Sequence, residues 1–326
     1  MKKIIALMLI ICGLIFYNSH LNNIQTLKPL LKVGIINFPK KMEGHMLVIP
    51  ALTEILNEQY RVKIVKSGYD LLISGFLNKD PIPTDDNIIK IYYTSEVFLG
   101  DIKQRLQDHD LVMGFDFIDH PNYIRHPFSY TRYASKIRHD YVRNQTCAPN
   151  EKKYFACFLV KNYGYSAHHF NGAHARIQLF HQLSLYKFVA SGGKHLNNIG
   201  ASVPYHETEK WLSECKFTIA YENDISHPGN VTEKPFQPWF AGSIPIYNTH
   251  PQGMTDINKR AVIYAQDFVS DNDLIEYIKK VDNDNKLYCE IQNQPIINDP
   301  NKDYSVLKRQ ISSKLNEIFA KKYNRK

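Results

Sequence analysis

The chain has 326 residues, a formal net charge of +8, 44% hydrophobic and 22% charged residues. That length exceeds what one hydrophobic core usually serves, so two domains are predicted, and the absence of repeats and low-complexity tracts excludes a repeat array or a disordered chain. The surplus of Lys and Arg points to an acidic partner (nucleic acid, an anionic membrane or an anionic substrate) without choosing among them.

Behind Lys2 and Lys3, residues 4–17 form an uncharged run of fourteen. As a helix it would be about 21 Å long, short of the roughly 30 Å hydrocarbon core. It reads as a signal h-region or a short signal anchor. No small-x-small cleavage site follows Tyr17, which favours an uncleaved anchor. Lys2 and Lys3 would stay cytoplasmic, giving a single-pass type II membrane protein with residues 1–27 as anchor and spacer.

Residues 32–38 (KVGIINF) read as a strand, and residues 46–56 carry apolar side chains at helical spacing. Strands follow at 60–65, 69–76 and 88–94, a short helix at 100–107, and a strand at 110–115. Strands alternating with helices predict a mostly parallel, doubly wound sheet within a domain of residues 28–148. Residues 117–147, rich in His, Arg, Tyr and Pro and weakly periodic, read as loop and linker.

A second alternating set starts with a strand at 154–160. A helix at 174–186, a strand at 187–190, a helix at 207–214 and a strand at 216–222 come next. A helix opening at Val231, Thr232, Glu233 and Lys234, strands at 244–247 and 261–264, and a helix at 273–281 complete a domain of residues 149–295. Pro235 suits a first helical turn, where its missing N–H costs nothing. Two such sets predict an α/β protein of two facing Rossmann-like domains. Ligands of such sheets bind at the carboxyl ends of strands, where Glu96 and Glu222 both fall. The tail, residues 296–326, ends in a basic helix with Leu307, Ile311, Leu315, Ile318 and Phe319 on one face. It can lie on an anionic membrane or pack back on the protein.

Cys147, Cys157, Cys215 and Cys289 allow up to two disulfides in a lumenal domain, or four buried thiols. No pair of cysteines has metal-ligand spacing, and the histidines, including His168 and His169, lack it too. No D-x-D follows a hydrophobic strand, so no metal and no cofactor are expected.

The most informative stretch is residues 220–248, AYENDISHPGNVTEKPFQPWFAGSIPIYN. A loop-to-helix junction offers free N–H groups and positive partial charge, Lys234 adds a cation, and Glu222 and Glu233 add acceptors for hydroxyls. Phosphate donors beside hydroxyl acceptors suit a sugar nucleotide. The stretch resembles the family 10 glycosyltransferases, inverting α-1,3/1,4-fucosyltransferases that use GDP-fucose. The resemblance rests on Tyr221, Glu222 and Asn223, on Val231 to Lys234, and on Ile244, Pro245, Ile246 and Tyr247. It extends to Tyr92 to Glu96, to Leu111 to Asp116, to residues 154–162 and to Arg176, and covers about residues 88–268. Two positions depart from the pattern: Asn230 stands where the family has Tyr, and Asn248 follows the Pro-Ile-Tyr unit.

The resemblance implies a GT-B type fold and fucose transfer from GDP-fucose to an acceptor oligosaccharide or glycoconjugate. It implies Glu96 as catalytic base, which also fits a carboxylate projecting from the first domain towards a phosphate site in the second. Arg176 and Lys234 would bind the pyrophosphate, the former through a forked contact and the latter as a point charge. Glu222, Glu233 and Asn223 would take sugar or ribose hydroxyls. Asn230 could keep one donor hydrogen bond while losing ring contact. The rivals are a transferase for another GDP-sugar, a basic nucleic-acid-binding protein, for which only charge speaks, and a catalytically dead glycan-binding relative.

Overall fold

The computed structural model describes residues 28–39, 50–77, 79–94, 102–143, 146–161 and 170–323. They fall into two compact units. The first holds residues 28–94, 102–112 and 308–323, the second residues 113–307.

The first unit contains β1 (Leu30–Ile36), α1 (Pro50–Gln59), β2 (Arg61–Ile64), β3 (Leu71–Ser74), β4 (Ile89–Tyr93), α2 (Ile102–Asp108) and the start of β5 (Leu111–Gly114). Its strands lie in the order β2-β1-β3-β4-β5, and the pairs β1–β2, β1–β3 and β3–β4 are parallel. Every residue of β3 and β4 is buried. Strands covered on both faces read as nearly continuous apolar runs, which is why these were visible in the sequence.

The last helix, α9 (Tyr304–Tyr323), belongs to this unit from Lys308 onward. Ile311 and Leu315 are fully buried, Ile318 and Phe319 nearly so, and the Phe319 ring lies 4.9 Å from that of Tyr60. Lys308 pairs with Glu54 and Glu58, and Lys322 with Asp110. The apolar face of the tail is consumed by packing, so the membrane-surface alternative for this helix falls.

The second unit adds β6 (Tyr123–Arg125), α3 (Phe128–Tyr133), β7 (Tyr154–Phe158), α4 (Asn171–Ser184), β8 (Val189–Ser191), α5 (Thr208–Ser213) and β9 (Cys215–Ile219). Then come α6 (Phe236–Phe240), β10 (Ile244–Tyr247), β11 (Ile263–Tyr264), α7 (Asp271–Asn283) and α8 (Asn285–Gln292). Its sheet runs β11-β10-β9-β7-β8, all parallel. From β7 the chain crosses through α4 to β8 on one side, then through α5 to β9 on the other. The strand order therefore reverses between β7 and β9, where open α/β sheets hold their ligands. Phe158, Leu183, Phe217, Ile246 and Ile278 centre the core. Cys147 is bonded to Cys289 (S–S 2.02 Å), and Cys157 to Cys215 on the neighbouring strand, which decides between bridges and thiols.

Residues 117–147 are not a linker. They supply β6 and α3, and their aromatic rings pack into the second unit: Tyr133 lies 5.0 Å and Tyr141 5.2 Å from Phe240, and the Arg143 guanidinium 4.4 Å over Trp239. Side chains with a polar tip and an apolar body can bury their bodies without any helical or strand period. The division between units thus falls after Val112 and again after Leu307, not at residues 148 and 295. Among the described residues no helix is long and apolar enough to cross a membrane. The expected anchor, residues 1–27, lies outside them.

Candidate functional site

The site grows from the end of β9. Beyond Ile219 the chain stays paired with the strand beside it, Ala220 N donating to Ile246 O at 2.9 Å and Glu222 N to Asn248 O at 3.0 Å. Glu222 therefore stands just past the carboxyl end of a central strand, with no solvent exposure. A buried carboxylate must be matched by donors. Its Oε1 accepts from Thr232 N (2.8 Å) and the Tyr247 hydroxyl (3.1 Å), its Oε2 from the Thr232 hydroxyl (2.8 Å) and Lys234 Nζ (3.2 Å). Burial first, and the Glu222 charge second, raise the Tyr247 phenol well above its ordinary pKa, so it stays a donor.

The spacing in V-T-E-K follows from this. Thr232 and Lys234, two apart across a bend in the chain, both turn to the same carboxylate, and Lys234 Nζ also lies 3.2 Å from the Thr232 hydroxyl. That engagement competes with helix formation. The helix α6 accordingly starts at Phe236, with Pro235 as its N-cap, later than expected. Thr232, Glu233 and Lys234 are loop, and Lys234 is aimed by Glu222 rather than by a helical turn. Glu233, between them, is half-buried. Among the described residues its carboxylate has no hydrogen-bond or ion-pair partner.

Arg176 sits one turn into α4, almost wholly buried, and its Nη1 donates to Asn223 Oδ1 at 2.9 Å. The start of α4 rests directly on residues 222–225. Ala173 N donates to Asn223 O (3.0 Å) and Ile225 N to Asn171 Oδ1 (3.0 Å). A Cβ on Gly172 would come within 2.1 Å of Glu222 O. Two cations, Arg176 and Lys234, are thus fastened to consecutive residues at one strand end.

Asn230 is buried, and its amide donates to Asp224 O at 2.8 Å, closing the loop between the two halves of the motif. Its carbonyl accepts from the Thr249 hydroxyl at 2.7 Å. The other unusual residue, Asn248, accepts from Gln266 Nε2 at 2.9 Å. The sequence reading assigned no role to Thr232, Tyr247 or Thr249. The first two lay inside the quoted pattern, and only their partners reveal what they do. Glu96, His168 and His169 lie outside the described residues. Among those residues no three His, Cys, Asp or Glu side chains stand together as a metal site.

Residues 149–293 match the model of glycosyltransferase family 10 (fucosyltransferase) C-term. The chain is 36% identical over 155 residues to putative fucosyltransferase R654 of Acanthamoeba polyphaga mimivirus, covering 44% of this chain and 26% of that protein. It is 25% identical over 294 residues to the alpha-(1,3)-fucosyltransferase FucT of Helicobacter pylori, covering 81% of this chain and 59% of that one. Thus the chain spans between about a quarter and three fifths of these relatives' lengths. The fold is also that of a solved alpha1,3-fucosyltransferase with GDP-fucose, at a TM-score of 0.69 and 21% identity over 88% of this chain and 91% of that one. Residues 149–293 of this chain therefore carry a glycosyltransferase family 10 (fucosyltransferase) C-terminal domain.

Proposed function

We propose that the chain is an inverting glycosyltransferase that moves fucose from GDP-fucose to a hydroxyl of an acceptor glycan, in an α-1,3-type linkage. The observation that carries the reading is the pair of cations, Arg176 and Lys234, tied to Asn223 and Glu222 at the switch point of the parallel sheet. A diphosphate there meets a forked guanidinium and an ammonium. As the leaving GDP gains negative charge, cations already held in place stabilise it without reorganisation. The relative solved with GDP-fucose supports the choice of donor.

The residues divide the work. Glu233, whose carboxylate has no hydrogen-bond or ion-pair partner among the described residues, accepts from sugar or ribose hydroxyls. Glu222 aims Lys234 and Thr232, a role that replaces direct contact with the donor. Asn223 orients Arg176, and Asn230 holds the loop shape through the Asp224 carbonyl. Glu96 is the base that takes the acceptor hydroxyl's proton as its oxygen attacks the anomeric carbon opposite the nucleotide. No cofactor beyond the donor enters this reading. Residues 1–27 tether the enzyme as a type II membrane protein, which fractionation of the full chain beside one starting at residue 28 would check.

The test combines a titration with GDP and a mass-read assay with GDP-sugars and oligosaccharide acceptors. Glu96→Gln is expected to keep GDP affinity and lose transfer by about two orders of magnitude or more. Transfer at the wild-type rate would remove Glu96 as base, and absence of GDP binding by the wild type would remove the donor assignment. The Asp224-bound amide of Asn230 favours one second reading, a different GDP-sugar, which the same panel distinguishes.

A further inference from the structure

We propose that Arg125 is a positioning residue for donor binding, clamping the loop of residues 223–230 in its competent shape. The inference rests on the GDP-fucose reading for its functional consequence, though not for the clamp itself.

Arg125 ends β6, in a segment of weak sequence periodicity and outside the residues that match family 10. Four hydrogen bonds leave its guanidinium. Nε donates to Phe115 O at 2.8 Å, Nη1 to Asp256 Oδ1 at 2.8 Å, and Nη2 to Asp256 Oδ2 at 2.6 Å and Gly229 O at 3.2 Å. Its planar face lies 3.9 Å from the Phe117 ring centre. Paired bonds to one carboxylate, a carbonyl on each flank and an aromatic floor fix all three axes of the group. Asp256 is nearly buried and takes a second cation, Lys302, at 3.2 Å.

What this group holds is the tip of the loop joining Asn223 to Val231. Gly229 has φ +80°, and a Cβ there would stand 2.3 Å from Phe115 O. The tip can therefore press against residue 115 only because it is glycine. Two residues earlier, His227 Nε2 lies 2.9 Å from Asp116 Oδ1, with its ring edge-on to Phe115 at 5.1 Å. Residues 115, 116 and 125 thus grip 227 and 229. The two ends of the same loop carry Asn223, which holds Arg176, and Asn230, which precedes Val231 and Thr232. Releasing the tip would leave the cations tethered to a loop with several shapes, and apparent affinity falls by the fraction of time the competent shape is lost.

The experiment measures amide hydrogen exchange across residues 223–232, thermal unfolding and GDP binding in wild type, Arg125→Ala, Arg125→Lys and Gly229→Ala. Expected are faster exchange confined to the loop and GDP affinity lower by about tenfold in folded Arg125→Ala, with Arg125→Lys in between because one ammonium cannot make the paired contact. Gly229→Ala should match Arg125→Ala, and it keeps the test open if the latter does not fold. Loop exchange unchanged in a folded variant overturns the clamp. Faster exchange with unchanged GDP affinity overturns its role in donor binding. A wild type that fails to bind GDP while the variants free the loop removes the donor reading and leaves the clamp standing.

Discussion

Glu222 illustrates how burial assigns a role that composition leaves open. A glutamate beside a sugar-nucleotide motif suggests a hydroxyl acceptor, yet four protein donors already surround this one. Glu233, eleven residues on, has no such set of donors around its carboxylate among the described residues. Histidines make a second point at this scale. Burial holds His126 near pKa 4, and it holds His109, whose Nε2 lies 2.8 Å from the Ser74 hydroxyl, at about the same value. Unfolded histidines titrate near 6.5. Between these values the unfolded chain binds more protons, so the stability due to neutral histidines is complete above about pH 6.5 and is lost as pH falls towards 4. Urea midpoints measured from pH 7.5 to pH 5 should fall, and more shallowly for His126→Phe. An equal slope in that variant would exclude His126 as a source.

Packing of α4 on the end of β9 is the element-scale contact on which the site depends. Gly172 allows the approach, since a Cβ would meet Glu222 O at 2.1 Å and Asn223 O at 2.9 Å. Both are backbone atoms and cannot swing aside. Gly172→Ala should therefore push Arg176 away from Asn223 and cost about 1–3 kcal/mol of stability, the usual range for overpacking, with weaker GDP binding. Thermal unfolding and a GDP titration check it, and a variant with wild-type values in both would show that the helix can yield. Strands β3, β4 and β10 were legible because they are buried along their whole length and so read as short, mostly apolar runs. Helix α6 was misplaced by its start because Pro235 signals a first turn, whereas Thr232 and Lys234 are drawn to Glu222.

On the scale of the whole molecule, the two units are not consecutive in sequence. The last sixteen described residues return to the first unit and bury Ile311, Leu315, Ile318 and Phe319 there. A chain ending at Leu307 should lose cooperative unfolding of residues 28–112 while residues 113–307 keep theirs, because each large apolar side chain removed from a core costs about 2–5 kcal/mol. Hydrogen exchange by segment would check this, and unchanged protection of the first unit would contradict it.

Strand alternation, the two-unit α/β class and the family 10 motif were all set out in local order along the chain. Each depends on neighbours a few residues apart, where side-chain period and motif spacing carry the information. The aim of Lys234, the bridging of the cysteines and the border between units needed tertiary structure. So did Arg125, whose partners Gly229 and Asp256 lie 104 and 131 residues away. Contacts at such separations leave no period in the sequence. They exist only once the strands are assembled and a buried charge must find whatever donors or acceptors the fold brings beside it.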